Sequence, residues 1–155
     1  VGEKLRGRVQ SRSMDSSPIE GVGTFIYSVK TQRYLFLLRN SCKYAGTWGL
    51  AGGKIESGEY LLPSLHRELN EELGFNFTAT KVIPIEKFTS DNNKFSYNTF
   101  LIPIADEFIP KLNFEHRGYC WVALEDHPKP LHPGVWRTVN FKAVVEKIKT
   151  LEAML

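Results

Sequence analysis

The chain has 155 residues, 42% of them hydrophobic and 24% charged; these are the proportions of one ordinary globular domain, large enough to bury a core without disulfides or a structural metal. They argue against a two-domain enzyme. The formal net charge is +3, but the first thirteen residues set Lys4, Arg6, Arg8 and Arg12 against Glu3 and so carry all of it, which removes the case for a basic, nucleic-acid-binding surface spread over the fold.

Residues 1–13 are polar, begin with Val instead of Met and run into Met14. We read them as a basic expression remnant, with Met14 the candidate native start and residues 14–155 a single domain. Cys42 and Cys120 are too few for a disulfide framework and lack C-x-x-C spacing, which fits reduced thiols in a cytoplasmic protein. No apolar stretch approaches the ~20 residues of a membrane span, so no membrane partner is expected.

In chain order, residues 22–29 (VGTFIYSV) and 34–38 (YLFLL) read as strands of a hairpin joined by the polar residues 30–33. Residues 40–47 read as a loop, and residues 48–50 as a short strand running into Gly52 and Gly53. From residue 59 to 73 the apolar period becomes helical: Leu62, Leu65, Leu69 and Leu73 share an arc of about 80°, and Pro63 is tolerated if it falls in the first turn. Gly74 is a natural stop. β-Branched and aromatic runs at 81–88 and 95–104, with turn residues 90–93 between them, predict a second hairpin. A strand at 118–124, a proline-rich loop at 125–134 and a terminal helix over 138–151, with Phe141, Val144, Val145, Ile148 and Leu151 on its apolar face, complete the chain. Strands interrupted by one helix and closed by another predict an α/β fold with a mixed sheet covered on both faces.

The chemistry concentrates in residues 53–75, GKIESGEYLLPSLHRELNEELGF. On a helical wheel Glu68, Glu71 and Glu72 fall within roughly 100° of one another, while the leucine stripe centres about 105° away. Carboxylates this close repel and raise one another's pKa unless a cation compensates. An all-oxygen donor set with no His/Cys cluster favours Mg²⁺, or Mn²⁺ as a substitute, over zinc.

This segment resembles the Nudix box, G-x5-E-x7-R-E-U-x-E-E-x-G-U, where U is a bulky apolar residue. Gly53, Glu59, Arg67, Glu68, Leu69, Glu71, Glu72, Gly74 and Phe75 fill every fixed position. With each fixed residue at ~5–7% background, a chance match is on the order of one in a million. A merely solvated glutamate-rich helix does not account for Gly53, Glu59, Arg67 and Gly74 at these offsets. Two departures, Ala51 before the paired glycines and Ser64-Leu65 where small alanines are common, remove no ligand.

The resemblance implies a Nudix fold, an α/β/α sandwich, whose loop and helix hold a metal through Glu72, Glu68, Glu71 and the Gly52 carbonyl. It gives Glu68 or Glu71 a role in orienting or deprotonating the attacking water, and Arg67 and Glu59 a role in holding that network. The implied reaction is attack of a metal-polarised water on a diphosphate bridge.

A second segment, Glu115-His116-Arg117-Gly118-Tyr119-Cys120-Trp121, has the form E-H-x-x-Y-x-W, similar to dinucleoside polyphosphate and GDP-sugar hydrolases of the same superfamily. It makes Glu115 a candidate metal ligand or general base and Tyr119 a candidate substrate contact. His116 is read as evenly balanced between function and simple exposure, and Trp121 as core. Lys54 is a candidate phosphate contact. Downstream of the box the chain lacks the proline of ADP-ribose enzymes and has Asn92 and Asn93 where one group of dinucleoside polyphosphate enzymes has tyrosine.

The expected activity is cleavage of a nucleoside diphosphate linked to another moiety: a dinucleoside polyphosphate, nucleotide sugar or ADP-ribose, with a capped RNA end behind them. The alternatives are a sanitising nucleoside-triphosphate pyrophosphohydrolase and a non-catalytic nucleotide-sensing domain. A homodimer is left open.

Overall fold

A computed structural model describes residues 18–41, 43–78 and 80–155. The basic tail, the candidate start Met14 and Cys42 lie outside the described residues. Seven strands form one mixed sheet: β1 (Ile19–Ser28), β2 (Arg33–Arg39), β3 (Trp48–Gly49), β4 (Ala51–Lys54), β5 (Ile83–Thr89), β6 (Phe95–Ile104) and β7 (His116–Val122). Among the described residues three helices accompany them: α1 (Leu61–Leu73), α2 (Pro133–Val139) and α3 (Lys142–Met154).

β1 is the central strand. It runs parallel to β6 along its whole length, from Ile19 opposite Phe95 to Ser28 opposite Ile104, and this parallel pairing requires the intervening chain, with α1, to cross over a face of the sheet. Its other edge is shared. The expected hairpin to β2 forms only at Tyr27–Tyr34 and Ser28–Arg33, because residues 21–24 pair instead with β4. β2 diverges to pair with β3 and β7. The second hairpin, β5–β6, turns where expected: Asn93 adopts a left-handed backbone and the Asn92 carboxamide accepts from Ser90 Oγ and the Lys94 N–H.

Strand alternation sorts the core into two layers. Val22, Ile26, Leu35, Leu37 and Trp121 meet Leu65, Leu69 and Leu73 of α1 on one face. Phe25, Tyr27, Tyr34 and Phe36 meet Val135, Val144 and Ile148 of α2 and α3 on the other. This is the expected α/β/α sandwich.

Several boundaries differ from the sequence reading. α1 begins at Leu61, not residue 59, because the Glu59 carboxylate lies ahead of the helix and accepts from the Glu56 N–H and Ser64 Oγ. Pro63 is in the first turn, and Gly74 ends the helix at φ 68° with its N–H on the Asn70 carbonyl. Leu62 leaves the expected stripe and is exposed, flanking an open groove beside β5. The last strand starts at His116 and stops before Leu124, which opens a 3-10 turn (Leu124–Asp126).

The single terminal helix is two helices. Asn140 folds its side chain back onto the Trp136 carbonyl, and Phe141 becomes the residue preceding α3, half exposed instead of facing the core. The proline-rich loop ends in α2, because Pro133, with no N–H to satisfy, suits a first helical position.

Candidate active site

Three segments meet where β1 separates β4 from β6: the glycines of β4, the polar side of α1, and the turn before β7. The backbone of β4 approaches α1 closely. The Gly52 N–H donates to Glu72 Oε1 at 3.1 Å, and a Cβ on Gly53 would stand 2.5 Å from the Glu68 carboxyl carbon. A side chain at 53 would have to push the end of the Glu68 side chain aside.

Glu72 is 3% exposed. Burial pushes its pKa up to about 9, helped by the Glu115 and Glu68 carboxylates and opposed by the Gly52 N–H. Burial likewise raises Glu68, with Arg67 opposing and the Glu71 and Glu115 charges adding to the rise. Arg67 organises the outer part of the cluster. Its Nε and Nη2 grip Glu59 at 2.7 and 3.0 Å, Nη2 lies 3.2 Å from Glu68, and Nη1 donates to Glu71 at 3.1 Å. These bonds, with the Glu56 N–H, hold Glu59 down at about 2.

The glutamates therefore divide. Glu59 and Glu71 are both paired with Arg67, with Glu71 exposed on the outer side. Glu68, Glu72 and Glu115 come together as a set in which only Glu68 has a cationic partner, the shared Arg67, among the described residues.

Glu115 reaches this set because the loop before β7 is tied to the end of α1. The Lys111 N–H donates to the Leu73 carbonyl, Asn113 Nδ2 donates to the Glu71 carbonyl, and Asn113 Oδ1 accepts the Glu115 N–H at 2.9 Å. The Asn40 N–H holds the Glu115 carbonyl from β2's end.

Among the described residues, no three His, Cys, Asp or Glu side chains are drawn into a closed metal-ligand cluster. The donors nevertheless fit a hard divalent cation. Glu72, raised by burial and then by two neighbouring carboxylates, lacks the positive charge that such a cation supplies, and every donor is oxygen.

The glycines line a cleft of about 560 Å³, together with Arg39, Lys43, Tyr44 and Lys54. None of Arg39, Lys43 and Lys54 has a carboxylate partner among the described residues. Arg39 donates to the Lys43 carbonyl at 3.0 and 3.2 Å, fixing the β2–β3 loop. The cleft adjoins an apolar pocket of about 310 Å³, and Leu50, Phe95, Tyr97, His132 and Val135 line both. Phe95 and Tyr97 stack with centroids 6.4 Å apart, and the Tyr97 ring lies over Gly21 and Gly23, where any Cβ would collide with it.

Of the second sequence segment, Glu115 joins the carboxylates. Trp121 is core, as read, with its indole N–H on the Phe108 carbonyl. His116 is buried at the start of β7, not exposed on a loop; burial and the nearby Arg39 charge push it down to about 4. Tyr119 is exposed on β7 opposite Leu37, outside the lining of the cleft, whereas Lys54 is within it. Tyr27 and Phe100 are core. Sequence reasoning missed Arg39, Asn113 and His132, all of which lie outside the box.

Residues 18–141 match the family model for the NUDIX domain. The chain belongs to the Nudix family. Among curated proteins, this Nudix domain is similar to the nucleoside triphosphatase NudI of Escherichia coli O139:H28, 31% identical over a 93-residue alignment that covers 54% of this chain and 66% of that protein. The chain thus spans just under two thirds of the curated relatives it matches. Among solved structures it resembles the MutT protein of Methanosarcina mazei Go1, 25% identical with a TM-score of 0.66, covering 86% of this chain and 98% of that one. It shares the fold of a C. elegans Ap4A hydrolase, 18% identical with a TM-score of 0.65, covering 87% and 99%.

Proposed function

We propose that this Nudix domain is a divalent-cation-dependent pyrophosphohydrolase that cleaves a phosphoanhydride of a nucleotide. The observation that carries this reading is the meeting of Glu68, Glu72 and Glu115 against Gly52 and Gly53, glycines that line a cleft also presenting Arg39, Lys43 and Lys54. The cations suit the phosphate chain, and the carboxylate set would hold Mg²⁺ or Mn²⁺. When bound, such an ion polarises water and offsets charge on the phosphate oxygens.

The remaining work falls to the chain's own residues. Glu72, fixed by the Gly52 N–H, is the innermost ligand candidate. Glu68 and Glu115 flank it and can orient a water and take its proton. Arg67 keeps Glu59 and Glu71 from repelling the phosphate chain and locks Glu68 in place.

For the substrate we favour a nucleoside triphosphate. The apolar pocket beside the cleft is of a size for one nucleoside and is walled by aromatic rings, and the curated relatives carry the name nucleoside triphosphatase. A nucleoside diphosphate joined to another moiety is the second reading, supported by the position of Glu115 and by Tyr119 exposed on the α1 side of the sheet. A Mg²⁺-supplemented panel of NTPs, ADP-ribose, NADH, Ap3A, Ap4A and GDP-mannose, with products identified, separates the two. Pyrophosphate release from NTPs supports the first, and nucleoside monophosphate from the linked substrates the second. Binding without turnover of any compound means a nucleotide sensor.

A further inference from the structure

We infer that His132 positions the substrate's nucleoside by donating a hydrogen bond from its Nε2. This rests on the nucleotide reading of the cleft and names a residue that reads the nucleoside within it.

His132 stands at the junction of the two cavities and lines both. Its backbone is clamped on both sides: its N–H donates to the Trp48 carbonyl at 2.8 Å, and its carbonyl accepts the Trp136 N–H at 2.9 Å. Its ring is fixed as well. Nδ1 accepts the Gly134 N–H at 3.0 Å, and the imidazole meets the Tyr44 ring edge to face at 4.7 Å and 78°. Accepting at Nδ1 forces the proton of the neutral ring onto Nε2, and Nε2 has no partner among the described residues.

Capping alone does not call for histidine. Ser, Asp or Asn supplies the same acceptor to a helix start with less bulk. What histidine adds is a second nitrogen on a rigid ring, at a residue that lines both cavities together with the stacked Phe95 and Tyr97.

The ring's charge state also distinguishes the two parts of a nucleotide. Burial, and then the Arg39 and Lys43 charges, lower the pKa of His132. It is a neutral donor beside two full cations. The cations serve the phosphates, and the neutral donor suits an uncharged acceptor on the sugar or base seated against the rings.

The test compares wild type with His132→Asn and His132→Ala in the full chain with Mg²⁺. Asn keeps an acceptor for the Gly134 N–H but lacks the outer nitrogen. His132→Asn is expected to keep its melting temperature and its kcat within about threefold, while KM for the preferred nucleoside triphosphate rises about tenfold, the weight of one neutral hydrogen bond. The Kd of a non-hydrolysable nucleotide analogue should rise by the same factor. The inhibition constant of inorganic tripolyphosphate, which has the phosphates and no nucleoside, should stay unchanged.

A KM within twofold of wild type overturns the proposal, as does an equal weakening of tripolyphosphate, which would assign His132 to the phosphates. His132→Ala is expected to match Asn in KM while also losing thermal stability, and a normal KM in that variant refutes the contact independently. A wild type that neither hydrolyses nor binds any nucleotide overturns the nucleotide reading, and this inference with it.

Discussion

Replacing Glu72 with Gln should make the metal-free protein more stable and the enzyme nearly inactive. The Glu72 carboxyl titrates near 4.5 when solvated, but burial and its carboxylate neighbours hold it near 9 in the fold. A folded-state pKa above the unfolded one means that stability is full below pH 4.5 and falls as pH rises toward 9, because the unfolded chain ionises first. At pH 7 the folded protein forgoes up to about 3 kcal/mol, taking about 1.4 kcal/mol for each pH unit above 4.5. Gln carries no such ionisation and retains an oxygen for the Gly52 N–H. In EDTA at pH 7, Glu72→Gln should therefore melt higher, by up to roughly 10 °C for a domain of this size. The gain should vanish near pH 4. Mg²⁺ should raise the melting temperature of wild type and leave the variant unmoved, and kcat should fall at least about 10³-fold. A variant that melts lower than wild type in EDTA at pH 7, or whose advantage does not depend on pH, would refute this account. Activity within tenfold of wild type would remove Glu72 from the site.

Arg67→Ala should leave Glu59, Glu68 and Glu71 without their shared cation and cost about 10²-fold in kcat; Arg67→Lys should rescue little, since an ammonium cannot reproduce the two-pronged grip on Glu59. Because Glu59 is held near 2, the stability from that pair should be present above pH 4.5 and fade as pH falls from 4.5 to 2, a window read by thermal melts of wild type against the alanine variant. Gly53→Ala should displace the Glu68 carboxylate that a new Cβ would meet at 2.5 Å, lowering kcat more than about tenfold with only a modest loss of melting temperature; unchanged kinetics would show that Glu68 is not held there for catalysis. Asn113→Ala should free the loop carrying Glu115 and lower kcat at little change in KM, whereas a shift in KM alone would place that loop on the substrate instead.

The part of the site legible in sequence is the part that is local. Gly53, Glu59, Arg67, Glu68, Glu71 and Glu72 lie within one contiguous segment, and within its helix a 3.6-residue period fixes the mutual directions of Arg67, Glu68, Glu71 and Glu72 before any tertiary contact forms. The same local rules placed Pro63, the Gly74 stop and the turn at Asn92 and Asn93. They failed at junctions: residues 138–151 carry a continuous helical pattern, yet the Asn140 side chain competing for the Trp136 carbonyl divides it. They also overstated the stripe, since whether Leu62 is covered depends on where the sheet ends. Glu115 was legible only through resemblance, because the bonds of Asn113 to α1 that carry it to Glu72 join residues about forty positions apart.

The charge arithmetic shows the same division. The sequence by itself determined that the excess charge lies in residues 1–13, that one carboxylate-rich helix exists, and that its pattern is that of the Nudix box. Only the tertiary structure decided how those charges are used. By pairing one part of β1's edge with β4 and another with β2, the sheet puts Arg39, Lys43 and Lys54 in one cleft with the glycines that touch Glu68 and Glu72, and sets His132 between that cleft and an apolar pocket. Helical period and turn chemistry act over a few residues. Which carboxylate is buried and unneutralised depends on segments brought together by packing, and no local pattern encodes that.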